Sequence, residues 1–227
     1  MAMKLKRGKK TTIIATNAGW RTVCRRHAEQ RATDEALDDW KAKSDKAVPF
    51  NYRWEHVQIV VGLALHLADL TGADREITEA AAWLHDICKG EPNHGAAGAR
   101  AARILLEHTD FPAAKIDAVA LAISLHVGLQ RPPGAPPLQP LEAAVLWDAD
   151  KLSKLGVQAL AYNLGMSFMR GLTLPQRRAN LREFTESVLI RTVASMNTPE
   201  AGLIAQQRYE AMLAMLALWE REEENIP

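Results

Sequence analysis

Apolar residues recur at three- and four-residue steps along most of this chain, the spacing of one face of an α-helix. From Trp54 to Leu70 they fall at Val57, Val60, Val61, Ala64, Leu65 and Ala68, and "TGAD" breaks the run. A second apolar helix is expected from about Arg75 to Ile87, ended by "KGEPN", and an Ala-rich third over 94–108. Pro112 is placed to open a fourth, with Ile116, Val119, Ala120 and Ile123 along one side and its end near His126. The stretch "GLQRPPGAPPLQP", 128–140, holds five prolines and two glycines, so it can be neither helix nor inner strand. An exposed loop is expected there, of a length that more often serves function than not. Helix resumes at about Leu141 and is expected to run to near Arg170. Two long helices, 176–196 and 199–224, follow on either side of "MNTPE", where Thr198 can cap and Pro199 can occupy the first turn. Upstream, "TDEALDDWKAKSDK" at 33–46 predicts a polar helix, and Pro49 in "VPFNY" marks a boundary. Only "TTIIAT" suggests a strand. The expected class is all-α: a basic N-terminal extension, 1–48, with one short helix, and a helical domain over 49–227.

Composition adds little to this picture. Apolar residues make up 48% and charged residues 24% of 227, ordinary for a globular chain with one sizeable core. The net charge of +1 excludes no partner class, but the charge is unevenly spread. Residues 1–29 carry eight Lys/Arg, five of them in "KLKRGKK", against the single Glu29, and "WEREEENIP" closes the chain acidic. A short basic end of this kind reads first as a solvated tail; nucleic-acid binding through it is the lesser alternative and predicts steep salt dependence. Cys24 and Cys88 form no CxxC pair and no disulfide framework, which fits a reducing compartment. The longest apolar run, "IVVGLALHLADL", is interrupted by His66 and Asp69 and falls short of the roughly 18–20 residues a bilayer requires. A cytoplasmic protein with no membrane partner is expected.

The polar residues inside the apolar frame change the picture more. "AAWLHDICKG", 81–90, sets Asp86 in an apolar segment, where a carboxylate is rarely found unless paired or bound to metal. His56 lies in the first core helix, His85 and Asp86 end the second, His94 opens the third and His126 ends the fourth. Asp148 and Asp150 sit in "AVLWDADKL", apolar enough to be buried. Helix ends that converge on one rim with imidazoles and carboxylates are how a helical bundle builds a metal site. Mixed nitrogen and oxygen donors suit Mn, Fe, Co, Ni or Zn better than Ca or Mg. Of the other histidines, His66 is expected to be buried and hydrogen-bonded in the core, and His27 and His108 to lie on the surface. The six tryptophans are explained by core packing.

Taken in order, "EHVQIVVGLALHLAD", "AAWLHDICKG", "AISLH" and "LWDADKL" resemble the HD-domain superfamily of metal-dependent phosphohydrolases. The signature of that family is one His, a His-Asp pair and a distant Asp, here His56, His85-Asp86 and Asp150. Asp150 is taken over Asp148 because "ADKL" matches the family's setting for its last ligand. The likeness runs from about Arg53 to the last helix, whose "MNTPEAGLIAQQRYEAML" is similar to a bacterial subgroup of predicted hydrolases. His94 and His126 resemble the two extra ligands of two-metal members, although His94 follows the His-Asp pair more closely than is usual there.

The resemblance implies an HD-like bundle holding one or two divalent ions, with Asp86 as the bridge and a metal-activated water as nucleophile. Lys89 occupies a place where many members carry a phosphate-contacting lysine. Lys151, Arg53 and Arg131 are further candidate phosphate contacts, the last because the proline-rich loop could rim the pocket. Cys88 fits a small packing role. The activity implied is hydrolysis of a phosphate ester or nucleotide. A dinucleoside polyphosphate or nucleoside triphosphate hydrolase is the alternative within that chemistry, and a non-catalytic nucleotide sensor the alternative outside it. Long amphipathic terminal helices permit a homodimer.

Overall fold

Asn51 starts the first core helix by accepting the Trp54 backbone N–H on its side chain at 3.2 Å. That helix, α2 (Tyr52–Thr71), buries His56, Val57, Val60, Val61, Ala64, Leu67 and Ala68 and ends at Gly72, which takes the left-handed conformation at φ 78°. In the computed structural model, which describes residues 19–40 and 50–224, all regular structure is helical. Asp74 caps α3 (Arg75–Leu84) through the N–H groups of Glu76 and Ile77, and the chain then turns through residues 85–92 without extending the helix. The second helix therefore stops short of His85, leaving the His-Asp pair on a turn whose backbone can be aimed. Asn93, at φ 56°, completes the reversal into α4 (His94–Leu106).

α4 lies along α5 (Ile116–Leu125), and α2, α3, α5 and α6 (Leu141–Leu152) pack on one another as the centre of the core. Gly95 is what brings α4 so close to the end of α5. A Cβ there would lie 2.7 Å from Val127 Cγ1 and 3.0 Å from the Ser124 carbonyl, so any larger residue would push His94 away from His126.

Four details depart from the sequence expectations. The polar helix foreseen at 33–46 is the second half of α1 (Trp20–Asp39), and the remainder of that stretch lies outside the described residues. α1 packs on α2 and α3 through Trp20, Cys24, Ala28, Ala32 and Ala36, a stripe of mostly small residues at four-residue steps. His66 is exposed, not buried: it continues the outer stripe of α2 with Glu55, Gln58, Gly62 and Asp69. His108 is exposed as expected, and His27 is half-buried. The single helix expected from 141 to 170 breaks at Gly156, whose φ of 96° only glycine adopts without strain, giving α7 (Val157–Leu164) a new direction.

After α7, Thr173 and Gln176 form a capping box at the start of α8 (Leu174–Phe184). A π-turn at Thr185–Leu189 leads into the short α9 (Ile190–Val193), and α10 (Pro199–Glu224) closes the described chain. Thr198 caps α10 through the Ala201 N–H at 3.3 Å, as its sequence foretold. "TTIIAT" and the basic "KLKRGKK" lie outside the described residues. No helix among those described is long and apolar enough to cross a membrane.

Candidate metal centre

Five helix ends and turns deliver their polar side chains to one buried point. Asp86 is the hub. His126 Nε2 lies 3.3 Å from its Oδ1, Lys89 Nζ 3.2 Å and His94 Nε2 4.0 Å from the same oxygen. His56 and His85 face the other oxygen, Oδ2, with Nε2 atoms at 3.8 and 3.7 Å. Asp150 Oδ1 lies 3.3 Å from His56 Nε2. The donors form two clusters that share Asp86: His56, His85 and Asp86, and Asp86, His94 and His126. The structure thus brings His56, His85, Asp86, His94, His126 and Asp150 together. It takes Asp148 elsewhere, onto Asn197 and Thr198 at the start of α10.

Hydrogen bonds on the far ring nitrogens decide which way the imidazoles point their lone pairs. His85 Nδ1 lies 2.8 Å from the Ala82 carbonyl, which can only accept, so Nδ1 carries the proton. Ser153 spends its hydroxyl proton on the Asp150 carbonyl at 2.6 Å and so accepts from His56 Nδ1 at 3.2 Å. Burial lowers both pKa values, that of His85 to about 3, against the pull of nearby carboxylates, so both rings are neutral. Their Nε2 atoms are then bare acceptors facing each other at 3.3 Å, with no proton to share. His126 is in the same position: Nδ1 meets the Ile123 carbonyl at 2.6 Å and Nε2 meets Asp86, so only a proton or a cation at Nε2 makes the arrangement favourable. The donor set fits a divalent ion. Ligand bonds of about 2.1 Å place neighbouring donors roughly 3.0–3.4 Å apart; the His56–His85, His56–Asp150 and His126–Asp86 pairs, each at 3.3 Å, fall in that range, and the other Asp86–histidine pairs lie at 3.7–4.0 Å.

The carboxylates are charged despite their burial. Burial alone would raise the Asp86 pKa, but the surrounding imidazoles, His85 first, which take up protons in acid before it does, and the Lys89 ammonium hold it well below the usual carboxylate range. Asp150 is held low in the same way: Lys151 and Lys154, and His56 once protonated, outweigh its burial. Lys151 is itself 2% exposed; its amine pairs with Asp150, donates to the His126 carbonyl at 2.8 Å and stands over the Trp147 ring. Burial pushes its pKa down against that pairing.

In the metal-free chain, the buried histidines make stability depend on pH. His85 protonates near pH 3 in the folded chain but near its ordinary 6.5 when unfolded. Between those values the unfolded state binds more protons, so acid favours unfolding. The loss from pH 7 to pH 5 is expected to be about 2 kcal/mol from His85 alone, read as a falling Tm in chelator. A Tm that stays flat over that range would refute the neutral-imidazole assignment.

The cluster forms one end of a cavity of about 500 Å³. Its charged wall includes Arg53, Lys89, Lys151 and Lys154 beside the histidines and aspartates. Much of the remaining lining is apolar: Val127, Leu129, Met166, Phe168, Leu181 and Phe184, with Asn163 and Asn180 among them. Arg53 stands between Glu35 Oε2 at 3.3 Å and Asp86 Oδ2 at 4.0 Å. Arg131, expected at the rim, does not line the cavity; its guanidinium turns back to the Pro136 carbonyl within its own loop. The sequence reading missed Lys154, Asn163, Asn180 and the two phenylalanines. Lys154 was visible as the residue one helical turn beyond Asp150, whereas α7 and α8 carry no motif to announce their part.

The span holding this cluster, residues 53–155, matches the HD domain family. This part of the chain is an HD domain. Among curated proteins none matches the sequence. Solved structures similar to the chain include YpgQ of Bacillus subtilis, 23% identical over 89% of this chain and 98% of that one, at a TM-score of 0.59. The same protein in complex with ADP is 22% identical over 88% of this chain and 100% of that one, at 0.59. An HD-superfamily hydrolase from Bacillus thuringiensis is 21% identical over 89% and 100%, at 0.60. At these identities the likeness establishes the fold, and it extends beyond the HD domain into the flanking helices.

Proposed function

We propose that this chain is a metal-dependent phosphohydrolase acting on a small nucleotide-like phosphate ester. The observation that carries the reading is the pair of bare Nε2 acceptors on His56 and His85, set between two charged carboxylates: a cation satisfies this arrangement, and burial discourages a proton. His56, His85, Asp86 and Asp150 would hold one ion, and Asp86 with His94 and His126 a second. A bound divalent ion would acidify a coordinated water and offset phosphoryl charge.

The chain's own residues supply the rest. Lys89, held 3.2 Å from Asp86, and Arg53 bring positive charge to the face where a phosphate would meet the cluster. Lys151 is buried with its amine committed to Asp150 and the His126 carbonyl, so its part is to fix both ligands in place. The apolar lining with its two phenylalanines suits a flat organic group, and Asn163 and Asn180 offer hydrogen bonds to a base edge. The binding of ADP by the structurally similar YpgQ supports a nucleotide over a simple sugar phosphate.

The test is phosphate release from nucleotides, dinucleoside polyphosphates and small phosphoesters, with Mn, Fe, Co, Ni, Zn or Mg supplied in turn. Turnover of nucleotides at least about tenfold above small esters is expected, and its loss in Asp150→Asn. A metal-loaded protein silent across the panel would refute the enzyme and leave the nucleotide-sensing reading.

A further inference from the structure

α1 lies outside the HD domain, yet two of its side chains reach the turn that carries the cluster. Arg31 donates from Nε to the Ile87 carbonyl at 2.8 Å, one residue past Asp86. One turn further along the helix, Glu35 faces Arg53 at 3.3 Å. Both lie beside Ala28, Ala32 and Ala36, whose burial against α2 and α3 fixes the helix in place. α1 is also tied to the start of α2: Asn51 donates to the Thr33 hydroxyl at 3.0 Å, and Trp40 to the Phe50 carbonyl at 3.2 Å.

Arg53 needs such a hold. It lies on the first turn of α2, its side chain is 26% exposed, and its long stem has many rotamers that lead to water. Its Nε is ion-paired with Glu35 without a hydrogen bond, while Nη1 points toward Asp86 and the guanidinium lines the large cavity. The Glu35 carboxylate is mostly buried, 18% exposed; burial raises its pKa, while Arg53 and the Gly90 backbone N–H pull it down. A carboxylate set so near an anion site should repel a phosphate unless it serves another end.

We propose that Glu35 is a positioning residue that holds the Arg53 guanidinium in the cavity, making α1 a working part of the site. This rests on the phosphohydrolase reading, in which Arg53 meets the substrate's phosphate. The two roles open to Glu35 predict opposite signs. As a mere negative charge near the site it weakens anion binding, and neutralising it tightens binding. As the holder of Arg53 it strengthens binding, and neutralising it weakens binding.

The experiment is titration calorimetry of inorganic phosphate into the Mn²⁺-loaded full chain, for the wild type, Glu35→Gln, Arg53→Gln and the double variant. The expected result is a loss of about fivefold in affinity for each single variant and no further loss in the double, with Mn content and Tm unchanged. Affinity in Glu35→Gln equal to or above wild type would overturn the proposal, as would losses that simply multiply in the double. If Glu35→Gln does not fold, Glu35→Asp is read in the same cycle against the same criteria. A Mn-loaded wild type that binds no phosphate would instead refute the phosphohydrolase reading itself, and this proposal with it.

Discussion

Asp86→Ala is expected to abolish metal retention and to lower phosphate-ester turnover on the order of a thousandfold or more. Six cationic or imidazole groups converge on its two oxygens, and both donor clusters include it. No neighbour can replace it, because Asp150 faces His56 and is already committed to Lys151 and Lys154. The fold should survive. Its nearest imidazoles on one side are neutral, and the two charges it leaves behind, Lys89 and Arg53, are both partly exposed to water. The diagnostic measurement is Tm with and without chelator, alongside metal content. Wild type should lose stability on chelation by the free energy of the bound ion, about 4 kcal/mol at a thousandfold excess over Kd. Asp86→Ala should start near the chelated value and not respond. A variant that keeps its metal and its turnover would overturn the site.

The helical frame was legible because it is written in local spacing, and the residues that meet in the cluster were singled out by their apolar setting and by a family resemblance. Val57, Val60, Val61, Ala64 and Ala68 announce one buried helix face, and a His-Asp pair at the end of an apolar segment announces a charge in need of compensation. What the spacing could not give was direction. His66 sits among apolar neighbours in the sequence, yet the 100° step per residue turns it outward with Gln58 and Asp69, and counting the face rather than the neighbours would have shown it. α1 was hidden for a different reason. Its buried stripe is mostly alanine and cysteine between arginines and acids, so its mean character is polar while its contact face is small and apolar. Glu35 then reads as one more surface acid, and only the packing of α1 on α2 reveals that it meets Arg53. Arg131 failed in the opposite direction. A proline-rich loop beside the site was visible, but the side chain's choice of the Pro136 carbonyl depends on the loop's own turn.

The sequence also left two aspartates, two residues apart on α6, competing for one role, and the structure gives them different roles that mutation can separate. Asp148 is fully buried and accepts four hydrogen bonds: from the Asn197 N–H at 2.8 Å and Nδ2 at 2.9 Å, and from the Thr198 N–H at 2.9 Å and Oγ at 2.8 Å. Two of those donors are backbone groups just before α10, which have no helical acceptor of their own. Burial raises the Asp148 pKa against the pull of all four donors, so the carboxylate depends on these hydrogen bonds to offset its burial. Asp148→Ala strands four buried donors and should cost about 3–5 kcal/mol, lowering Tm by roughly 10 °C in chelator. Metal bound per folded chain should stay at the wild-type level. Asp150→Asn should do the reverse. It removes the charge facing His56 and so releases metal, but leaves an oxygen for Lys151 to bond, so Tm in chelator should change little. A low Tm with metal intact for Asp148→Ala, against lost metal with Tm intact for Asp150→Asn, would separate the residue that docks α10 from the residue that completes the cluster. The opposite pattern would exchange the two assignments, and α10 would then be held by something other than Asp148.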